Sequence, residues 1–221
     1  MSAYATVARF WVSVVTATAM NLAMAQETPP PASALTPDPQ HGMVLFLKRC
    51  AECHGRHAWG DGPREIPALA GQGENYLTEQ LESFASGQRP GSQMHGPAMQ
   101  ESSRSPDVNR AQAIRDLTTY LTQATRNPRP EYGQGEGLAA GKQFYERACK
   151  SCHGEQGAGN DRLRIPAIGG QHYSYLATRL RDFSSGRMLH PTGLAGGTTE
   201  ELQAVADYIA RLSHLSAPLN R

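Results

Sequence analysis

The chain has 221 residues, of which 39% are hydrophobic, and its formal net charge is +1. This length suits one or two domains. The near balance of basic and acidic residues excludes a strongly charged surface, so we expect no nucleic acid among its partners and no binding to an acidic membrane surface.

Residues 1–25 have the layout of a secretory signal peptide. Arg9 supplies a positive start, residues 10–22 are mostly apolar, and residues 23–25 form an A-x-A cleavage site. A membrane anchor is the alternative, but a stretch of 13 mostly apolar residues falls short of the roughly 20 that a spanning helix needs. We therefore predict export to the periplasm, cleavage after Ala25 and no transmembrane anchor in the mature chain.

Two proline-rich stretches divide the rest of the chain. Residues 26–40 predict an extended, semi-rigid leader. Residues 126–137 contain two prolines and three glycines and predict a linker. The predicted domains are therefore residues 41–125 and residues 138–221.

The pattern C-x-x-C-H occurs at residues 50–54 and again at residues 149–153, and the two copies use all four cysteines. Two thiols at this spacing can each add to one vinyl group of a porphyrin, and the histidine that follows can bind its iron. Zinc sites and disulfides are the alternatives. A histidine directly after both second cysteines argues against zinc, as does the predicted export.

The sequence therefore predicts two haem c groups. The predicted attachment residues are Cys50, Cys53, Cys149 and Cys152, and the predicted proximal iron ligands are His54 and His153.

An internal repeat accompanies the two motifs. Residues 66–72 are echoed by residues 165–171 at an offset of 99, which is also the offset between the motifs. A period near 100 indicates two domain-sized copies, because solenoid repeats are only about 20–50 residues long.

Each copy predicts a few helices and no strand, because no segment alternates with period two for long enough. The first haem-bearing helix is predicted from Gly42 to His54. Apolar residues at helical spacing predict a second helix in each copy; they are Leu77, Leu81 and Phe84, and Leu176, Leu180 and Phe183. A last helix is predicted to open near Pro106 in the first copy and at the capping box from Thr198 to Glu201 in the second.

These motifs, with residues 69–76 and residues 169–175, resemble the dihaem cytochromes c of the cytochrome c4 family over about residues 40–213. The resemblance implies an all-α fold of two tandem cytochrome c-type domains, each with a few short helices around one haem c. It implies that the loop prolines Pro67 and Pro166 accept a hydrogen bond from the proximal histidines and so help to bind the cofactor.

The resemblance also implies a function. The protein would be an electron carrier and not an enzyme, passing single electrons between respiratory-chain partners. The expected partners are a membrane respiratory complex or terminal oxidase, with a dehydrogenase as a further candidate.

The family usually supplies a methionine as the sixth iron ligand, from the loop before the last helix. In the first copy Met94 and Met99 are the candidates, and the order of residues 94–99 favours Met94. In the second copy the distal loop is 11 residues shorter, and the ligand position falls on His190, with Met188 as the alternative. We favour His190. Because an imidazole is a stronger donor than a thioether, this predicts a lower potential for the second haem.

Two other functions remain open. One is a haem subunit of a larger oxidoreductase such as a flavocytochrome. The other is a dihaem enzyme of the peroxidase or thiosulfate dehydrogenase type, which needs an open iron with acid–base groups above it. His172, Arg179 and Arg187 could be invoked for that role, but such residues are more often structural.

Overall fold

In a computed structural model, the structure describes residues 36–89, 94, 110–193 and 197–212. The predicted signal peptide, most of the predicted leader, Met99 and Pro106 lie outside these residues. The described residues form eight α-helices, one short 3-10 helix and no strand. The helices are α1 (Pro39–Arg49), α2 (Ala51–His54), α3 (Glu74–Ser86), α4 (Arg110–Gln123), α5 (Leu138–Ala148), α6 (Lys150–His153), α7 (Tyr173–Ser184) and α8 (Thr199–Ala210), with the 3-10 helix at Asp161–Leu163.

The all-α fold with two cytochrome c-type domains is confirmed, and both copies lie within one compact unit. None of the described helices is long and apolar enough to cross a bilayer. The predicted capping box is present, since Thr198 and Glu201 exchange side-chain to backbone hydrogen bonds at the start of α8.

The beginning of α1 and the haem-bearing helix differ from the prediction. Helix α1 starts at Pro39, inside the segment predicted as an extended leader, because Asp38 caps it and proline suits a first helical position. The predicted helix from Gly42 to His54 is two segments, since Cys50 has a φ of −113° and separates α1 from α2.

The first and last helices of each copy cross closely at a glycine. A Cβ on Gly42 would overlap the backbone carbonyl of Asp116 on α4, and a Cβ on Gly141 would overlap that of Ala204 on α8. One turn further on, Phe46 contacts Tyr120 in the first copy at a ring-centroid distance of 5.7 Å. Each copy therefore depends on an unobstructed glycine to bring its two terminal helices together.

At the starts of helices α3 and α7, backbone and side-chain donors bond a carboxylate that lies outside the helix's own copy. Neither α3 nor α7 has a capping side chain of its own. Asp161 accepts hydrogen bonds from Asn75 N at 2.9 Å and Asn75 Nδ2 at 3.1 Å at the start of α3. Glu131, in the segment between the copies, accepts from Ser174 N at 3.0 Å and Ser174 Oγ at 2.6 Å at the start of α7. Both negative groups suit the positive end of a helix.

We expect Gly141→Ala to lower the free energy of unfolding by about 1–3 kcal/mol, because the new methyl group must displace the α8 backbone. Denaturant titration of the haem-loaded protein followed by circular dichroism would measure this. Gln143→Ala is the matched control, since Gln143 lies exposed on the same helix. Equal stability of Gly141→Ala and wild type would contradict the close crossing.

Candidate haem centres

The two C-x-x-C-H segments end in short helices that expose one cysteine each. Cys53 and Cys152 are exposed, Cys149 is buried, Cys50 is half-buried, and all four are unpaired. Before a thioether forms, burial raises the pKa of the Cys50 and Cys149 thiols to about 11. Among the described residues, no group of three or more His, Cys, Asp or Glu side chains could hold a metal ion, as a zinc site would require.

His54 and His153 are buried and identically oriented. The Nδ1 atom of His54 lies 3.0 Å from the carbonyl oxygen of Pro67, and that of His153 lies 3.0 Å from the carbonyl oxygen of Pro166. Because a carbonyl can only accept, Nδ1 carries the proton and Nε2 keeps its lone pair for a metal. Burial lowers the pKa of both histidines, which favours the neutral, ligating form.

The structure places the ring of His190 close to that of His153. Their ring centroids are 6.3 Å apart with an interplanar angle of 38°. An imidazole nitrogen lies about 1.2 Å from its ring centroid and a metal–imidazole bond is about 2.0–2.1 Å, so two rings on opposite faces of one metal stand about 6.4 Å apart. The spacing of His153 and His190 therefore fits a single iron between them.

Neighbouring residues hold His190 in this position. Its Nδ1 lies 3.0 Å from Thr192 Oγ1, so this nitrogen is engaged within the loop and Nε2 is the ring nitrogen that could ligate a metal. The edge of Phe183 packs against the ring at a centroid distance of 5.2 Å. His190 is half-buried, and burial lowers its pKa, so it too is held neutral.

Met188, the alternative ligand, has a different contact. Arg179 Nη1 donates a hydrogen bond to the Met188 sulfur at 3.0 Å. In the first copy the residues at the same offset form the same pair, where Arg89 Nη1 donates to Gln80 Oε1 at 2.7 Å. Met188 therefore takes the structural place of Arg89, and the 99-residue correspondence extends this far before the loops diverge.

The first copy is described less fully at its distal side. Met94 is a half-buried turn residue, and Met99 lies outside the described residues. The structure thus brings together the proximal and distal candidates of the second centre, and of the first centre it shows His54 with its proline carbonyl.

His172 has a structural role that the sequence did not reveal. It is 5% exposed; its Nε2 donates to the carbonyl of Trp59 at 2.7 Å, and its Nδ1 accepts from Glu131 N at 3.0 Å. Both ring nitrogens are used, so His172 is not placed as an acid–base group. Arg187 pairs with Asp182 at 2.7 Å at the surface.

Two repeated all-α domains, each with a buried histidine that follows a Cys-x-x-Cys pair and is oriented by a proline carbonyl, define a tandem c-type cytochrome. The comparisons with known proteins agree. Residues 39–125 match the family model described as Cytochrome c, and residues 136–209 match the one described as Cytochrome C oxidase, cbb3-type, subunit III.

Cytochrome c4 of Stutzerimonas stutzeri is 32% identical over 177 residues, which cover 74% of this chain and 84% of that protein. The "Thiosulfate dehydrogenase electron acceptor" of Thiomonas intermedia (strain K12) is 30% identical over 176 residues, or 73% of this chain and 77% of that one. The crystal structure of reduced recombinant cytochrome c4 from Pseudomonas stutzeri matches with a TM-score of 0.65 and 25% identity, covering 80% of this chain and 100% of that one. The chain belongs to the cytochrome c4 family, and the prediction of two haem c cofactors is confirmed.

We expect His190→Ala to change the spectrum of the second haem from bis-histidine to a different coordination, because it removes the ring opposite His153. Electron paramagnetic resonance and near-infrared magnetic circular dichroism of the oxidised protein would show this. Met188→Leu is the matched control and leaves both signals unchanged. A near-infrared methionine–iron band from the second haem that Met188→Leu abolishes would overturn the assignment.

Proposed function

We propose that this protein is a periplasmic dihaem electron carrier that moves single electrons between redox proteins. The observation that carries the proposal is the pair His153 and His190, 6.3 Å apart between ring centroids. A haem iron bound by both rings would have no open position for a substrate, since the porphyrin would occupy the other four. That centre would be limited to electron transfer without bond formation, which suits a carrier better than a peroxidase.

Each side chain has a defined role in this proposal. Cys50 and Cys53 in the first copy, and Cys149 and Cys152 in the second, would hold the porphyrin covalently. His54 and His153 would each supply one iron ligand, with the Pro67 and Pro166 carbonyls fixing the orientation of their rings. Met94, with Met99 as the alternative, would supply the other ligand to the first iron, and His190, with Met188 as the alternative, would supply the other ligand to the second. When bound, haem supplies one-electron iron redox chemistry.

The two distal ligands set different potentials. The imidazole of His190 donates more strongly than a methionine sulfur, so it favours ferric iron, whereas the methionine raises the potential. The second centre would then have the lower potential, so electron transfer from the second centre to the first would be favoured. Such a difference would let the second centre receive electrons from a donor and the first deliver them to an acceptor.

A redox titration tests this assignment. We expect two separate one-electron steps, the lower one belonging to the centre that His190→Met shifts upward while it leaves the other step in place. Carbon monoxide added to the reduced wild-type protein is expected to bind neither iron. Two equal potentials, or rapid carbon monoxide binding by the wild type, would reject the proposed carrier mechanism.

Export is the second part of the proposal. We expect the mature protein, isolated from the periplasm of a host with haem-maturation machinery, to begin at Gln26, since cleavage follows Ala25. Intact-mass measurement would also show two covalent haems, and one haem in a variant with Cys149 and Cys152 both changed to Ala. A mature product that retains residues 1–25 would contradict this part.

A dehydrogenase of sulfur compounds is a second candidate partner. The relative from Thiomonas intermedia is named an electron acceptor for thiosulfate dehydrogenase. A solved thiosulfate dehydrogenase from Marichromatium purpuratum matches with 28% identity and a TM-score of 0.62, covering 78% of this chain and 40% of that one. Stopped-flow measurements of the rate at which a thiosulfate dehydrogenase reduces the protein, and of the rate at which a terminal oxidase oxidises it, would test each partner separately. Co-purification with a flavoprotein would instead support the subunit alternative.

A further inference from the structure

Two glutamines join the copies through a reciprocal set of hydrogen bonds, which we call the glutamine clasp (Gln72 with Ala167, and Gln171 with Ala68). The Gln171 side chain accepts from Ala68 N at 2.8 Å and donates to Ala68 O at 2.9 Å. The Gln72 side chain makes the same two bonds to Ala167, at 2.8 Å and 2.9 Å. Each amide thus pairs with a backbone N–H and a carbonyl of the other copy, which fixes its orientation.

The clasp is buried and firmly held. Both glutamines are 8% exposed. The Oε1 atom of each one also accepts from the next backbone N–H, Gly73 N at 2.8 Å for Gln72 and His172 N at 3.0 Å for Gln171. Water neither screens a buried hydrogen bond strongly nor replaces it readily, so the loss of such a bond has a larger electrostatic effect than the loss of a surface bond.

One peptide group connects the clasp to each of the two histidines, His54 and His153. The N–H of Ala68 belongs to the peptide whose carbonyl is that of Pro67, and that carbonyl lies 3.0 Å from His54 Nδ1. The side chain of Gln171 therefore bonds one end of a peptide group whose other end bonds His54. In the second copy the same arrangement links Gln72, through the peptide between Pro166 and Ala167, to His153.

Hydrogen bonds in such a chain polarise one another. When a peptide N–H donates to a glutamine oxygen, its carbonyl becomes more negative and accepts more strongly from the histidine. A stronger bond at Nδ1 makes the imidazole a more basic ligand. A more basic ligand stabilises ferric iron and lowers its potential.

We propose that Gln72 and Gln171 are positioning residues that set the redox potential of the centre in the opposite copy. Gln171 acts on His54 through the peptide between Pro67 and Ala68, and Gln72 acts on His153 through the peptide between Pro166 and Ala167. The inference rests on the proposed ligation by His54 and His153. It makes each copy a regulator of the potential in the other.

A crossed pattern of potentials tests the proposal. In haem-loaded protein, Gln171→Leu removes the bonds to Ala68 at similar volume, and we expect it to raise the potential of the first centre and leave the second unchanged. Gln72→Leu should do the reverse. Haem methyl resonances followed during a redox titration report each centre separately, and the Nδ1 proton resonance of the corresponding histidine should move in the same variant.

Two further variants separate this role from general loosening. Asn75→Ala removes hydrogen bonds to Asp161 between the copies and touches neither peptide, so it should move neither potential. Gln171→Glu replaces the amide acceptor of the Ala68 N–H with a carboxylate, which accepts more strongly, so the His54 Nδ1 proton resonance should move in the direction opposite to that in Gln171→Leu.

The outcomes are distinct. Three results would overturn the proposal that each glutamine sets the potential of the opposite centre. They are a shift in the potential of the centre in the variant's own copy, an equal shift at both centres, and the same shift in Asn75→Ala. If the spectrum of the wild type shows no Nδ1 proton resonance from an iron-bound His54 or His153, the proposed ligation fails. That failure is visible before any variant is made.

Discussion

The hydrogen bond from each histidine Nδ1 to a proline carbonyl is the contact on which the rest of the structure depends. It fixes which ring nitrogen faces a metal, and it can form only if the loop folds back closely on the histidine. Gly60 and Gly159 permit this, since both have positive φ, and a Cβ on either would overlap the backbone at the following Ile-Pro segment. Their N–H groups bond the carbonyls of His54 and His153 at 2.9 Å, which completes the loop.

The two copies are alike on the proximal side of each centre and differ on the exposed face of their first helix and in their distal loops. Helix α1 exposes an apolar face, whereas α5 carries polar and charged residues at the equivalent positions; the residues are Met43, Val44 and Leu47, and Lys142, Gln143 and Glu146. The distal loops differ in length and in the ligands they can offer. The repeat has therefore kept the proximal segments alike, while the distal loops and the exposed face of the first helix differ between the copies.

Local patterns in the sequence were sufficient for the fold and for the proximal side of each centre. The C-x-x-C-H motifs, the helical spacing of apolar residues and the capping box at Thr198 are local, so they can be recognised without a three-dimensional arrangement. The clasp could not be predicted, because Gln171 and Ala68 are 103 residues apart and only the packing of the copies brings them together. The sequence does not indicate the break at Cys50, because the break is small. The Cys50 N–H still bonds the Phe46 carbonyl at 2.8 Å, and only the φ angle of Cys50 departs from helical values.

The twofold character of the glutamine clasp has a consequence for the strength of the interface. A self-complementary patch of this kind is what joins two identical subunits in a homodimer. Here the short segment between the copies makes the encounter intramolecular, with an effective concentration on the order of millimolar. Four hydrogen bonds and a few bridging side chains then need to supply less binding free energy than the same contacts between separate molecules would. Because tethering supplies part of the association, polar residues such as the two glutamines can occupy the contact between the copies.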